Sequence, residues 1–165
     1  MNLLEERGTA NGLEQLRSWI ASGHQAAIGE TLKFSLVEAS EGRAVFSATP
    51  GAHVYNPIGS VHGGYAATLL DSACGCAVHS ALTSEQAYTT LELKIAYHRA
   101  LSATLGPVRA EGKVVSIGKR VAFAEARITD EAGRLYASAT STLLVFERKA
   151  GTNVDVHSPR RGRTD

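Results

Sequence analysis

The sequence predicts an α+β domain in which an antiparallel sheet wraps one long helix. Three observations lead there. Segments with period-two hydrophobicity lie on both sides of a single long apolar run, giving the order helix, two strands, long helix, four strands. That run, about Gly63 to Ala81, is apolar nearly all round, so it must be buried, and a curled sheet can bury it. Finally, 165 residues with 44% hydrophobic and 20% charged side chains and a net charge of +1 fit one soluble globular domain, 1–165, with a core at about 28–147. This charge balance carries no nucleic-acid footprint.

Taken in order, residues 1–11 read as a loose leader. Leu13, Leu16, Trp19 and Ile20 then fall at helical spacing, with Asn11 as cap and Gly23 as stop, which predicts a helix over 12–22. Leu32 to Leu36 alternates, Glu41-Gly42 supplies a turn, and Arg43 to Ala48 alternates again, which is a hairpin. Thr49-Pro50-Gly51 breaks it. The loop that follows leads into the long helix, with Ser60 as its expected cap. Beyond Thr83, Thr90, Glu92 and Lys94 alternate with Leu91, Leu93, Ile95 and Tyr97. Gly106 to Val115, Val121 to Ile128 and Leu135 to Phe146 complete the strands, separated by turns at 116–119 and 130–133. From Gly151 the chain has no period and reads as a loose, basic tail.

Asp71 is the only formally charged residue between Val61 and Ala81. On a helix it shares a face with Gly64, Ala67, Thr68, Gly75 and Val78. It is either a surface acid on one exposed stripe or a recessed carboxylate in a space that the small residues leave open. A buried, unpaired carboxylate costs several kcal/mol and is kept mainly where it is used. The free N–H groups at the helix start, around Gly63 and Gly64, suit a developing oxyanion. Asp71 lies eight residues on, or ~12 Å along the axis. One small electrophile cannot touch both within one helix. If both serve one reaction, two helices must face each other across a two-fold axis.

The order Asn56, then His62-Gly63-Gly64, then Asp71, followed by Ser116-Ile117-Gly118-Lys119-Arg120-Val121-Ala122-Phe123-Ala124-Glu125-Ala126, resembles the PaaI-type acyl-CoA thioesterases over about residues 28–147. These are hotdog-fold enzymes related to the 4-hydroxybenzoyl-CoA thioesterases. The resemblance implies a five- or six-stranded sheet around the long helix, a homodimer with shared active sites, and a homotetramer of two such dimers. It implies that Gly63 donates its N–H to the thioester carbonyl, that Asn56 helps place that carbonyl, and that Asp71 of the partner subunit attacks or activates water. Thr90, with Thr89 as its neighbour, stands where a hydroxyl residue holds the water. For His62 it implies an orienting role rather than proton transfer.

The substrate so implied is an acyl-CoA with an aryl or short to medium acyl group, and CoA enters as substrate, so no cofactor is expected. Lys119 and Arg120, with Arg99 and Arg148 behind them, are candidates for the CoA phosphates. Tyr55, Ile58 and Leu70 are candidates for the acyl pocket. No cysteine, histidine and carboxylate cluster has the spacing of a metal site, and no Gly-x-Ser-x-Gly elbow occurs. Cys74 and Cys76 would point roughly 160–200° apart on a helix and cannot pair with each other. They read as small buried residues of a reducing compartment, and with no signal peptide or membrane span the expected location is the cytoplasm, away from membranes. Two other readings stay open: a hotdog acyl-thioester hydratase, and a non-catalytic acyl-CoA-binding module.

Overall fold

The computed structural model describes residues 9–148; the leader up to residue 8 and the basic tail lie outside the described residues. The elements are α1 (Gly12–Ser22), α2 (Ala27–Leu32), β1 (Phe34–Ser40), β2 (Arg43–Ala48), a 3-10 turn (Ala52–Val54), α3 (Gly63–His79), β3 (Gln86–Tyr97), β4 (Val108–Ile117), β5 (Val121–Asp130) and β6 (Leu135–Glu147). The strands form one antiparallel six-stranded sheet in the order β1-β2-β4-β5-β6-β3. α3 packs on its inner face, as the hotdog architecture requires. None of the described helices is long and apolar enough to cross a membrane.

Small residues let the sheet close on α3. Leu69, Leu70, Ala73, Cys74, Ala77 and Val78 of α3 are fully buried. Facing them, Ala110, Gly112, Ala122, Ala124 and Ala126 line the middle strands, so helix backbone and strand backbone come nearly into contact. A Cβ added at Gly112 would lie 2.1 Å from the Ala73 carbonyl oxygen, closer than any side chain permits. Each buried leucine contributes about 1.5–3 kcal/mol relative to exposure.

α1 is closed at both ends as its sequence predicts. Glu14 N–H donates to Asn11 Oδ1 at 3.0 Å and Asn11 N–H to Glu14 Oε2 at 2.8 Å, a reciprocal capping box, and Gly23 ends the helix at φ +67°. α2 is absent from the sequence reading. It has six residues and no side-chain cap, too short to show a period. It takes in Leu32, and Lys33 follows at φ 58°, so β1 begins at Phe34 rather than Leu32.

Two further expectations are corrected. Ser60 does not cap α3: its hydroxyl accepts from Asn56 Nδ2 at 3.0 Å, and His62 is the cap. Strict alternation along β3 would put Thr90 on the outer face with Glu92 and Lys94. A β-bulge between Thr90 and Glu92 shifts the phase. Thr90 therefore pairs with buried Leu143 on the inner side, and Leu91 is left exposed.

α1 is tied to the end of α3 through His79. The His79 Nε2 lies 3.0 Å from Gln15 Oε1, and Gln15 Nε2 donates to the Ala10 carbonyl at 2.8 Å. Burial, and then the positive charge of Arg148, lower the His79 pKa to about 4. An unfolded histidine titrates near ~6.5. Between these values the unfolded chain binds a proton that the folded chain refuses, so stability is present above ~6.5 and is lost as pH falls toward 4. The expected loss between pH 7 and pH 5 is ~2 kcal/mol from this residue. Thermal denaturation of His79→Gln should show a flatter pH dependence over that interval; a wild-type curve no steeper than the variant's would contradict the assignment.

Candidate active site

Asp71 lies half-buried in the middle of α3, where its backbone cannot move without moving the core. The Thr90 hydroxyl donates to its Oδ1 at 3.0 Å, and Oδ2 has no protein partner among the described residues. Of the two threonines, Thr90 is thus the one that reaches the acid; Thr89 lies on the rim of the same cavity and is exposed. That cavity, of about 520 Å³, opens beside Asp71 and is walled by Trp19, Ile28, Phe34, Phe46 and Tyr88. Phe34 and Phe46 meet edge to face, with centroids 5.7 Å apart.

Neither cysteine offers a competing nucleophile. Burial, reinforced by the negative charge of Asp71, pushes the thiols of Cys74 and Cys76 up to about 12, so both stay protonated at neutral pH. Burial also raises the phenol of Tyr88, and the neighbouring Cys76 and Asp71 add to it. Among the described residues no cluster of histidine, cysteine and carboxylate groups could hold a metal ion. His24 also lines this cavity, and of the two groups there that could serve as base the Asp71 carboxylate is the one held by the Thr90 hydroxyl.

The other half of the expected site lies at the start of α3. The loop before it is organised by Asn56, whose Oδ1 accepts from the N–H groups of Ile58 and Ser60, both at 3.1 Å. A bridge between Tyr55 and Val61 closes the loop. His62 Nδ1 accepts from Gly64 N–H at 2.8 Å, so the neutral ring carries its proton on Nε2. The N–H of Gly64, expected alongside that of Gly63 to suit an oxyanion, is thus already occupied. Gly63 N–H has no partner among the described residues and remains the available donor. Gly63 lines a second cavity of about 340 Å³, together with His62, Tyr97, His98 and Arg99.

Within one chain, Asp71 with Thr90 and Gly63 with His62 therefore belong to two different cavities. Leu70, expected to line an acyl pocket, lines neither cavity: it is fully buried in the hydrophobic core. Tyr55 and Ile58 also line neither. Tyr55 holds Ala103 N–H through its hydroxyl at 3.1 Å, and Ile58 is 87% exposed on the loop. Lys119 and Arg120 are exposed at the β4–β5 turn, away from both cavities. Arg99 is the candidate cation that reaches one of them, and its guanidinium also donates to the Leu135 carbonyl at 2.7 Å. Sequence reasoning missed the wall supplied by Trp19 and Ile28; the amphipathic pattern of 12–22 marked a buried face there without showing what it covers.

Residues 58–137 match the profile of the family described as Thioesterase superfamily. The chain is 28% identical over 120 residues to the 1,4-dihydroxy-2-naphthoyl-CoA hydrolase of Listeria monocytogenes, covering 73% of this chain and 96% of the relative. A solved structure of a protein from the thioesterase superfamily is similar at 31% identity and a TM-score of 0.65, with 81% of this chain and 97% of that one covered. The phenylacetic acid degradation protein PaaI from Thermus thermophilus, in a mutant form, is 27% identical with a TM-score of 0.65, covering 72% and 98%.

Proposed function

The chain belongs to the thioesterase superfamily, and from that premise we propose that it hydrolyses an acyl-CoA thioester to the free acid and CoA across a site shared by two subunits. The observation that carries this reading is the carboxylate of Asp71, held by Thr90 beside an aromatic-walled cavity and eight helical residues away from the free N–H of Gly63. The two are ~12 Å apart along one helix, which only a facing copy of α3 can close.

In this mechanism Gly63 N–H of one subunit donates to the thioester carbonyl oxygen and stabilises the negative charge that develops there. Asp71 of the other subunit delivers oxygen to the carbonyl carbon by one of two routes. It either attacks directly, giving a mixed anhydride that water then opens, or takes a proton from water as the water attacks. In both, the C–S bond breaks and CoA leaves as the thiolate. Asn56 shapes the loop that presents Gly63, and His62 caps the helix and occupies the competing N–H.

The cavity beside Asp71 suits an aryl or a short to medium acyl group, since Trp19, Phe34, Phe46 and Tyr88 surround it with flat apolar surface. The relatives named for 1,4-dihydroxy-2-naphthoyl-CoA hydrolysis and for phenylacetic acid degradation agree with an aryl group. The cavity at Gly63, with His62, His98 and Arg99, is the place for the more polar CoA portion.

A thiol-release assay over a panel of aryl- and alkanoyl-CoAs tests the reading. Turnover of at least one, fastest for aryl members, is expected; tight binding with no thiol released by any would favour a non-catalytic binding module. Thr90→Val, which keeps the shape and removes the donor, should lower kcat about tenfold with KM little changed, since a hydrogen bond to a charged group is lost at the reacting carboxylate. Unchanged kcat in that variant would remove Thr90 from the mechanism.

A further inference from the structure

Gly63 is the residue least able to aim its own N–H, because glycine rotates freely about both backbone angles. The peptide groups on either side of its Cα are nonetheless held. The His62 carbonyl accepts from Tyr65 N–H at 2.9 Å. Gly64 N–H donates to His62 Nδ1 at 2.8 Å. The Gly63 carbonyl accepts from the Tyr97 hydroxyl at 3.0 Å, a contact that comes from β3 rather than from the helix or its loop. Of these four backbone groups, Gly63 N–H alone is without a partner among the described residues.

Tyr97 is poorly explained as a core residue: it is 56% exposed. It lies instead against Gly63, where an added Cβ would be 3.2 Å from its hydroxyl oxygen and 3.3 Å from Cζ. The bulge in β3 puts Tyr97 on the same inner side as Thr90, paired with buried Ala137. One strand thus holds the acid at one point and the helix start at another.

We propose that Tyr97 is a positioning residue for thioester hydrolysis, whose hydroxyl fixes the Gly63–Gly64 peptide and so keeps Gly63 N–H aimed at the thioester carbonyl. This rests on the reading of Gly63 as the oxyanion donor. Tyr97→Phe keeps the ring over Gly63 and removes the hydrogen bond alone. The expected result is a kcat about tenfold lower, a KM within about twofold, and a Tm within a few degrees of wild type. A purely structural role would lower Tm and leave kcat per folded molecule unchanged.

A second readout follows the carbonyl itself. An aryl-CoA labelled with carbon-13 at the thioester carbonyl, bound to Asp71→Asn so that it is not turned over, should show a lowered infrared carbonyl frequency. Adding Tyr97→Phe should return that band toward its free value. Unchanged kcat together with an unchanged band in the Tyr97 variants would overturn the inference while leaving Gly63 as donor. If the wild-type protein releases no thiol from any acyl-CoA, the hydrolase reading falls and this inference falls with it.

Discussion

Asp71→Asn should lose at least about a thousandfold in thiol release, because the amide is neither nucleophile nor base at neutral pH. The substitution is close to isosteric. Its Oδ1 can still accept from the Thr90 hydroxyl, and the position is half-buried rather than in the core, so stability should change by no more than about 1 kcal/mol. Binding of acyl-CoA, measured by calorimetry, should persist, which separates lost chemistry from a lost fold. Full activity in the Asn variant would overturn the assignment of Asp71. In the wild type, a single turnover in water enriched in oxygen-18 tests for the anhydride. Label appearing in the Asp71 carboxylate identifies a mixed anhydride opened at the aspartyl carbonyl, whereas general base catalysis and an anhydride opened at the acyl carbon both confine the label to the acid product.

Gly63→Pro should be nearly as damaging, for a different reason. Proline removes the N–H, and removal of one oxyanion donor costs about 10²–10³ in kcat elsewhere. Few positions accept proline at so little structural cost. Gly63 is the first residue of α3 after the cap, where proline's fixed φ suits the helix and the N–H takes no part in it. His62 before it is extended, at φ −63° and ψ 133°, the conformation that a following proline demands. The nearby Tyr97 ring must give by a few tenths of an ångström, and its exposure lets it do so. The decisive experiment mixes Gly63→Pro with Asp71→Asn under conditions that exchange subunits. If each site takes its acid from one subunit and its donor from the other, a mixed dimer holds one intact site out of two. Half the dimers are mixed, so about one quarter of wild-type activity should return. No recovery above the two variants alone would place both residues in a site within one chain.

The candidate acid was legible because it breaks a pattern. One carboxylate in a long apolar helix is a local anomaly that composition and spacing expose, and the distance to Gly63 follows from the rise of a helix. The caps of α1, Asn11 and Gly23, were legible for the same reason: their partners are three or four residues away. Thr90 was only half legible. Its type and place in the chain drew attention to it, but alternation assigned it to the wrong face, since a single bulged residue at Leu91 reverses the side of everything before it. Gly64 looked as available as Gly63 until the ring of His62 was seen to occupy its N–H.

What the sequence determined by itself was therefore the α+β class, the single long buried helix, and the spacing of Asn56, Gly63 and Asp71 along the chain. These depend on periodicity and on neighbours close in the chain. The tertiary structure alone decided which threonine reaches the acid, that Trp19 and Ile28 of the N-terminal helices wall the cavity, that Leu70 turns into the core, and that Tyr97 reaches Gly63. Each depends on side chains tens of residues apart meeting across the sheet and helix, and no local pattern records such a meeting until the register of the strands and the roll of the helix are fixed.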